Sequence, residues 1–316
     1  MYKIYYTDME TNHTTQIKDF IKGSWINMVA PTDKEIELVC QKLGVEEEYL
    51  RYPLDFEEKA RIDIDDDNNN VLFIVDVPII ERDSESELYT TMPLGMMIVK
   101  DSYFITISLK ENDIIKFWEK YREKGVQTYK KSKFIFQILY TNAEMFLKYL
   151  KRIGKETEIA ENVLKNSMKN KELLKLLSLE KSLVYFTTSL KSNELVMEKT
   201  LRGKIVKLYE EDEELLEDAI VENRQAIEMS KIYSDILNGT MDAYASIISN
   251  NLNGVMKFLT SITIILAVPT LIASLWGMNV PVPLQGYSLG FPILCGVSLM
   301  VTLIMIWWLK RRNFLN

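Results

Sequence analysis

The stretch SLWGMNVPVPLQGYSLGF, from Ser274 to Phe291, breaks an apolar region near its middle. That region, residues 258–309, holds 52 residues and no Asp, Glu, Lys, Arg or His. Pro281, Pro283 and Gly286 in the stretch end helices and favour a turn. The apolar segment on each side of the stretch is close in length to the roughly 20 residues that a helix needs to cross a membrane. The pattern predicts two membrane-spanning helices joined by a short loop, with the bounds 258–275, 276–288 and 289–309.

Charge is distributed unevenly along the 316 residues, whose formal net charge is −7. After Lys257 only Lys310, Arg311 and Arg312 are charged, so residues 1–309 hold 35 basic against 45 acidic side chains. This acidic body lacks the basic excess that neutralises phosphates, and we expect no nucleic-acid partner. The basic triplet should remain cytoplasmic, and the N-terminus lacks the pattern of a secretory signal. Both termini are therefore expected in the cytoplasm of a multi-pass cell-membrane protein.

Side chains suited to catalysis or to soft metals are scarce. His13 is the only histidine, and Cys40 and Cys295 lie far apart, so neither a disulfide framework nor a CxxC metal site is indicated. The chain has no HExxH, Walker or GxSxG motif, and we expect it not to be an enzyme. A hairpin buried in a soluble protein is the alternative to a membrane location. A charge-free region of this length argues against it.

The region before the spans begins as an α/β unit. Alternating or continuous apolar runs predict its strands, which are Trp25–Val29, Arg61–Ile64, Val71–Val77, Leu94–Val99 and Tyr103–Ser108. Thr32 and Glu35 have the spacing of a capping box at the start of a helix, and a helical pattern dominates from Asn112 onward. The acidic run Asp65–Asp67 suggests a calcium loop, but no Gly or distal Glu follows at EF-hand spacing. A solvated turn is the favoured interpretation.

A long helix is predicted from Lys207 to Leu275, because Pro269 is the first proline in it. At 1.5 Å per residue it would be roughly 100 Å long, which no soluble core needs. Apolar residues recur in it about every 3.67 positions, the period of an 11-residue repeat, which favours helices associating around an axis. These residues are Leu237, Met241, Tyr244, Ile248, Leu252, Val255 and Leu259. The acidic run Glu210–Glu217 reads as a solvated face that would also attract cations in a ring of subunits.

One side of the first span carries what we call the polar stripe, a row of mostly small or hydroxyl-bearing residues. Successive helical residues rotate by about 100°, which aligns Met256, Thr260, Thr263, Ala267, Thr270 and Ser274. Packing between membrane helices is one explanation. With only two spans per chain, however, several copies would have to shield the stripe from lipid, and they would enclose an axis. We favour this pore-lining interpretation.

The turn after the first span contains Trp276, Gly277, Met278 and Asn279. At this position, with a basic segment after the second span, they resemble the Gly-Met-Asn signature of the CorA family of divalent-cation channels, in which an aromatic residue precedes the triplet. The stretch NNLNGVMKFLTSITIILAVPTLIASLWGMN resembles the family's first membrane helix, and SWIN and ARIDIDDDNNNVLFIVDVP are similar to its cytoplasmic α/β domain. The resemblance implies a homopentameric funnel in the lipid bilayer, a five-helix pore and Mg²⁺ as the usual ion.

The resemblance also implies roles for individual residues. A ring of Asn279 side chains would accept hydrogen bonds from the water of hydrated Mg²⁺, which dehydrates reluctantly. Gly277 would let the backbone bend, and Met278 would pack. A cap at the helix C-terminus is a compatible role for Asn279. The implied pore lining is Asn253, Met256, Leu259, Thr263, Ala267, Thr270 and Ser274, with Met256 and Leu259 narrowing it. Co²⁺ or Ni²⁺ is expected to pass as well.

The family's regulatory Mg²⁺ site pairs carboxylates of neighbouring subunits. Asp218 matches the stalk-side position, whereas Tyr52 falls at the other, so a nearby acidic residue would have to substitute. The candidates are Asp55, Glu57 and Glu58. Asp242 matches an acidic position lower in the stalk. The outer loop lacks the acidic residues that the family often has there, which removes an electrostatic means of concentrating cations.

The fold prediction is an α/β cytoplasmic domain with a mixed sheet and flanking helices, followed by a stalk helix and a transmembrane hairpin. Its boundaries, besides those of the hairpin, are 1–206 for the α/β and helical domain, 207–257 for the stalk and 310–316 for the basic tail. Two other functions stay open. One is a Zn²⁺, Co²⁺ or Ni²⁺ transporter of the same superfamily, for which few N and S ligands are present. The other is a membrane-anchored interaction protein, which would need neither the polar stripe nor the triplet.

Overall fold

The computed structural model describes the chain except residues 66, 83–86, 167–169, 204, 207–208, 285, 313 and 315–316. Asp66 of the predicted turn and Lys207, the predicted start of the long helix, lie outside the described residues. The strands are β1 (Tyr2–Thr7), β2 (Thr14–Ile17), β3 (Trp25–Val29), β4 (Arg61–Asp65), β5 (Asn70–Arg82), β6 (Glu87–Val99) and β7 (Tyr103–Ser108). The helices are α1 (Asp33–Leu43), α2 (Glu47–Arg51), α3 (Asp113–Gly125), α4 (Lys131–Asn166), α5 (Asn170–Gly203), α6 (Glu210–Trp276) and α7 (Gly290–Arg311).

The chain divides into two compact units, Met1–Gly239 and Thr240–Asn316. In the first unit the seven strands form one mixed sheet in the order β2-β1-β3-β7-β6-β5-β4. β3 and β7 run parallel, and the other neighbours are antiparallel. Apolar side chains of α1 and α2 cover one face of the sheet, and those of α3, α4, α5 and the start of α6 cover the other. The predicted mixed sheet with flanking helices is confirmed.

Local signals placed several elements correctly. The Thr32 hydroxyl accepts a hydrogen bond from the Glu35 amide (3.4 Å), and the Glu35 carboxylate accepts one from the Thr32 amide (2.9 Å), so the capping box starts α1. In the turn between β4 and β5, Asp65 accepts hydrogen bonds from the backbone and side chain of Asn68 and from the side chain of Asn70. These bonds, that of the Asn68 side chain first, lower the pKa of Asp65. Its carboxylate therefore stabilises a turn.

The hairpin of β5 and β6 is longer than the predicted strands, which stop beside Pro78 and Pro93. Asp76 lies opposite Pro93, and Pro78 lies opposite Thr91, inside a continuous ladder. The neighbouring strands have already ended at this point, because β4 pairs with β5 only as far as Ile74 and β7 reaches β6 only at Leu94. Pro78 and Pro93 therefore cost the sheet no ladder hydrogen bond, although each lacks an N–H group.

Helix side chains take the place of the absent strand beside β5. Asn193 of α5 accepts a hydrogen bond from the Asp76 amide (2.8 Å) and donates one to the Asp76 carbonyl (2.8 Å). Asn142 of α4 donates to the same carbonyl (2.9 Å). One side-chain amide thus satisfies both backbone groups of Asp76, which β4 is too short to reach.

The long helix α6 is continuous from Glu210 to Trp276, with Pro269 inside it. In the row of apolar residues that recurs every 3.67 positions, Leu237 and Tyr244 are buried. From Ile248 to Leu259 the members of this row are exposed, with 43% to 62% of their surface accessible. This apolar row therefore has no cover within a single chain over its second half.

Replacing Asn193 by Ala should destabilise the first unit. The Asp76 amide would lose its acceptor, and leaving such a group unsatisfied costs roughly 1–3 kcal/mol. Ser192→Ala is the matched control, because the Ser192 hydroxyl is exposed and donates to the Thr188 carbonyl of its own helix. Thermal unfolding of the full chain in detergent, followed by circular dichroism, measures both. Equal melting temperatures for the two variants would contradict this role of Asn193.

Candidate functional site

Among the described residues, two helices are long and apolar enough to cross a membrane, α6 and α7. Their uncharged parts, Phe258–Trp276 and Gly290–Leu309, each contain about 20 residues and measure about 30 Å at 1.5 Å per residue. This matches the hydrocarbon thickness of a bilayer. Both segments belong to the second compact unit, where they are joined by residues 277–289.

The helix α7 covers only one face of α6. Ser261 is fully buried on this face, and the half-buried residues that follow are Ile264, Ile265, Val268, Pro269 and Ile272. Pro269 and Ile272 line a groove together with Leu294 and Ser298 of α7. Most of the remaining surface of α6 in this segment is exposed.

The polar stripe lies on the opposite face of α6. At about 100° per residue its members are centred about 150° from the residues that meet α7, and all six are exposed. The hydroxyls of Thr260, Thr263 and Thr270 donate hydrogen bonds to carbonyls of their own helix, at 2.8 to 2.9 Å. Their donors are used internally, so each hydroxyl presents acceptor lone pairs outward. Along this face the helix therefore offers neutral acceptors.

The turn after α6 is held by the Trp276 side chain. Its indole N–H donates to the Pro283 carbonyl (3.1 Å), and its ring lies close to Gly290, the first residue of α7. A Cβ atom on Gly290 would come within 2.8 Å of the Leu284 carbonyl oxygen, so the loop needs glycine there. These contacts hold Pro283 close to the end of α6 and Leu284 close to the start of α7.

Met278 and Asn279 project from this turn. Met278 is 53% exposed, and Asn279 is exposed as well. The helix end is closed by the Gly277 amide, which donates to the Ala273 carbonyl (2.9 Å). Among the described residues no hydrogen bond involves the Asn279 side chain, so a capping role has no support and the amide is available to a ligand.

The reversal of the chain occurs later than the resemblance implied. Left-handed backbone angles fall at Leu284 (φ 65°) and Gly286 (φ 89°), whereas Gly277 has none. A Cβ atom at Gly277 would instead approach the Ala273 carbonyl oxygen at 3.2 Å. Glycine at this position thus allows close packing at the end of α6, and the sharp turn lies nearer to α7.

At the other end of the stripe, Asn253, Met256 and Leu259 are exposed on α6, Met256 and Leu259 by more than half of their surface. This exposure leaves this part of the helix uncovered in a single chain. Two apolar side chains and one amide thus precede the hydroxyl-bearing part of the stripe.

Acidic side chains of α4 and α6 meet in the first unit. The charge of Glu144, then burial and the charges of Glu222 and Asp218, raise the pKa of Tyr140. Burial, followed by the charge of Glu222, raises the pKa of Glu144. Asp218 itself is exposed. These carboxylates repel one another, and a bound cation would relieve that repulsion.

The other predicted regulatory residues lie elsewhere. Asp55 accepts a hydrogen bond from the Glu57 amide (3.0 Å), and Asp242 is exposed on α6. Tyr52 packs under the Arg61 guanidinium, 4.8 Å from its ring centroid. In the described part of the chain, no three His, Cys, Asp or Glu side chains converge as a metal site.

Several contacts that shape the candidate site were not predicted from the sequence. The pairing of Trp276 with Pro283 and the packing at Gly290 depend on how the loop folds back, which no local pattern reveals. The charges of Glu144 and Glu222 meet only because α4 packs on α6. The internal hydrogen bonds of the stripe threonines, by contrast, follow from their helical position and were foreseeable.

Known proteins match this chain over both of its units. A family model described as CorA-like Mg²⁺ transporter protein matches residues 22–311. The cobalt/magnesium transport protein CorA of Methanocaldococcus jannaschii is 30% identical over 301 residues, which cover 92% of this chain and 91% of that protein. The complete structure of the CorA magnesium transporter from the same organism superposes with a TM-score of 0.84 and 25% identity, over 99% of this chain and 98% of the other.

The first unit also shares its fold with a more distant protein. The cytoplasmic domain of ZntB from Vibrio parahaemolyticus superposes with a TM-score of 0.61 over 78% of this chain and 98% of that domain. The identity is 12%, so the likeness concerns the fold alone.

The assignment of helix faces makes a prediction of its own. In a chain with Cys40 and Cys295 replaced by Ala, Thr270→Cys and Ser274→Cys should react with a small water-soluble thiol reagent, because a reactive thiolate needs hydration. Ile265→Cys and Ile272→Cys, on the face that meets α7, are the matched controls and should react about tenfold or more slowly. Labelling rates in proteoliposomes measure the difference. Similar rates at all four positions would leave packing as the better explanation of the stripe.

Proposed function

Because this chain belongs to the CorA-like Mg²⁺ transporter family, we propose that it carries Mg²⁺ across the cell membrane through a channel formed by five copies of itself. The relative from Methanocaldococcus jannaschii is named for cobalt as well as magnesium transport, which supports Co²⁺ as a second ion. Ni²⁺ has the same charge, and we include it. Membership in a transporter family agrees with the expectation that the chain is not an enzyme.

The observation that carries the proposal is the position of the polar stripe opposite α7. Hydroxyl oxygens facing hydrocarbon would lose their hydrogen bonds with water, so copies of α6 are expected to turn this face toward each other. Five such helices enclose an axis lined by Thr263, Ala267, Thr270 and Ser274. Ion-bound water donates hydrogen bonds, and the stripe presents acceptors, which suits a hydrated cation.

The outer end of this axis would carry the selectivity filter. Mg²⁺ is small, and it usually keeps several waters when it binds to protein. Five Asn279 amide oxygens supply a neutral ring that accepts hydrogen bonds from those waters without stripping them. Gly277 and Met278 complete the filter segment, and the Trp276 contact to Pro283 holds its base in place. The free Asn279 side chain supports this role.

The inner end of the axis would contain the constriction. Asn253 provides a polar ring, and Met256 and Leu259 place bulky apolar groups next to it. An apolar constriction blocks ions when it loses its water, and it conducts when the helices separate enough to wet it. The exposure of both apolar side chains in the single chain is consistent with a surface that copies of α6 cover.

The orientation and the domains follow from the same arrangement. Residues 1–206 and the stalk 207–257 would lie in the cytoplasm, together with the tail 310–316. The two spans 258–275 and 289–309 would cross the membrane, and the loop 276–288 would face outward. The basic residues after α7 support this orientation through the positive-inside rule.

Regulation by cytoplasmic Mg²⁺ is a further part of the proposal. Asp218 lies on the acidic surface shared with Glu144 and Glu222, where a divalent cation would reduce repulsion. An ion held between Asp218 and Asp55 of a neighbouring copy would favour the closed packing, provided that it binds this state more tightly. Asp242 would lie near the cytoplasmic entrance of the pore.

Replacing Asn279 by Ala should abolish transport without unfolding the protein. Five equivalent acceptors disappear at once, each worth roughly 0.5–1.5 kcal/mol as a hydrogen bond, so we expect Mg²⁺ flux to fall more than about tenfold. Flux into proteoliposomes is measured with Mg²⁺, Co²⁺, Ni²⁺ and Zn²⁺ in competition. The matched control is Asn250→Ala, since Asn250 is an exposed amide on α6 away from the stripe.

Unchanged Mg²⁺ flux in the Asn279 variant would eliminate the proposed filter. Flux of Zn²⁺ that exceeds that of Mg²⁺ in the parent would favour the zinc-transporter alternative. A parent that conducts none of the four ions would support the membrane-anchored interaction protein.

Neutralising Asp218 should weaken inhibition by cytoplasmic Mg²⁺. Asp218→Asn removes one carboxylate from the proposed interface site, so conduction at high internal Mg²⁺ should rise several-fold and the inhibition curve should shift to higher concentration. Glu217→Gln removes an adjacent exposed charge on another side of α6 and serves as the control. Inhibition curves recorded in planar bilayers make the comparison. If the curves of parent and Asp218→Asn coincide, Asp218 does not regulate this channel.

A further inference from the structure

One end of the hairpin formed by α6 and α7 carries four basic side chains and no acidic one. Lys257 precedes the uncharged part of α6, and Lys310, Arg311 and Arg312 follow that of α7. We call these four residues the basic end. All of them are exposed. The nearest acidic residue in the second unit is Asp242, about four helical turns before Lys257.

Contacts between the two helices bring these residues to one level. The Ser261 hydroxyl of α6 donates a hydrogen bond to the Phe314 carbonyl, just beyond α7, at 3.2 Å. The Lys257 ammonium lies 5.9 Å from the centroid of the Phe314 ring. Ser261 and Leu309 are both buried, with 0% and 1% of their surfaces accessible. Lys257 therefore joins the basic triplet at the same boundary of the uncharged segments.

Two tryptophans lie beside the arginines at this boundary. The Arg311 guanidinium lies 5.5 Å from the Trp307 ring centroid, and that of Arg312 lies 5.8 Å from Trp308. Trp307 and Trp308 are themselves 60% and 48% exposed. Tryptophan is enriched at the headgroup level of membranes. The contacts keep the arginines near the interface while their N–H groups stay available.

The charges of the basic end are not balanced within the chain. Among the described residues, no ion pair involves Lys257, Lys310, Arg311 or Arg312. The first unit, by contrast, pairs many of its basic side chains with carboxylates, as Arg224 does with Glu194 and Glu198. Four uncompensated cations in an otherwise acidic protein call for an anionic partner from outside the chain.

We propose that the basic end binds the phosphate headgroup of an anionic phospholipid, with Lys257 on one span and the arginines on the other. Guanidinium groups bind phosphate oxygens through two parallel hydrogen bonds, and the ammonium contributes a point charge. The exposed apolar surfaces of Phe258 and Trp307 follow directly on the membrane side, where acyl chains lie. These surfaces favour a lipid over a free phosphate, which would contact the charges alone. A bound headgroup would bridge the pore-lining helix and α7.

Quenching of tryptophan fluorescence tests the proposal on the full chain. The protein is reconstituted in phosphatidylcholine vesicles that contain brominated phosphatidylglycerol or brominated phosphatidylcholine, and relative association constants are derived from quenching. We expect at least a tenfold preference for phosphatidylglycerol in the parent. Lys257→Gln should lower this preference about fivefold, since a basic residue near an anionic surface contributes roughly that factor. Lys257 touches neither tryptophan, so the reporter itself is unchanged.

Two controls distinguish a specific lipid site from a general attraction of basic residues to anionic lipid. Lys231→Gln removes an exposed cation from the part of α6 in the first unit and should leave the preference unchanged. Lys257→Arg should retain it. Equal quenching by both lipids in the parent would overturn the proposal, as would an equal loss in Lys231→Gln. Excess inorganic phosphate should not alter the preference for phosphatidylglycerol. If added phosphate abolished this preference, the basic end would be a site for free anions. The readout does not require ion flux and stands apart from the proposed transport.

Discussion

A polar stripe on a membrane helix cannot face hydrocarbon without losing hydrogen bonds, and the arrangement of the second unit depends on this constraint. The helix α7 could have covered the stripe, but it packs on the opposite face of α6, against Ile265 and Ile272. In the proposed channel, the cover for Thr263 and Thr270 comes from other copies of the chain. The same copies would also cover the exposed apolar row from Ile248 to Leu259.

The polar groups of the proposed path are all neutral. Between Phe258 and Leu309 they are hydroxyls, amides, indoles and backbone groups. A carboxylate ring would hold a divalent cation tightly and slow its departure, whereas neutral acceptors bind a hydrated ion weakly enough to release it. Ionised side chains occur only before residue 258 and after residue 309, and both of these segments are proposed to lie on the cytoplasmic side. This separation lets the charged parts influence the ion without trapping it.

The sequence predicted those parts of the fold that are decided locally. The capping box of Thr32 and Glu35 depends on residues three positions apart and was placed correctly. The strands β1 and β2 were missed, because they are short and belong to one edge of the sheet. The lengths of β5 and β6 were underestimated, since the tolerance of Pro78 and Pro93 depends on where neighbouring strands end. In the candidate site, the stripe followed from helical geometry, whereas the Trp276 contact and the Ser261 contact to Phe314 needed the folded chain.

The side chain of Asn193 has a consequence for how copies of this protein come together. Beyond Ile74 one edge of β5 has no neighbouring strand, and a free edge can recruit a strand from any adjacent chain. Membrane anchoring confines copies to a plane and raises their local concentration, which makes such mispairing during biogenesis more frequent. By occupying the backbone groups of Asp76, the amide of Asn193 removes a template for cross-chain sheet growth. Crowded subunits are then left to join through their helices.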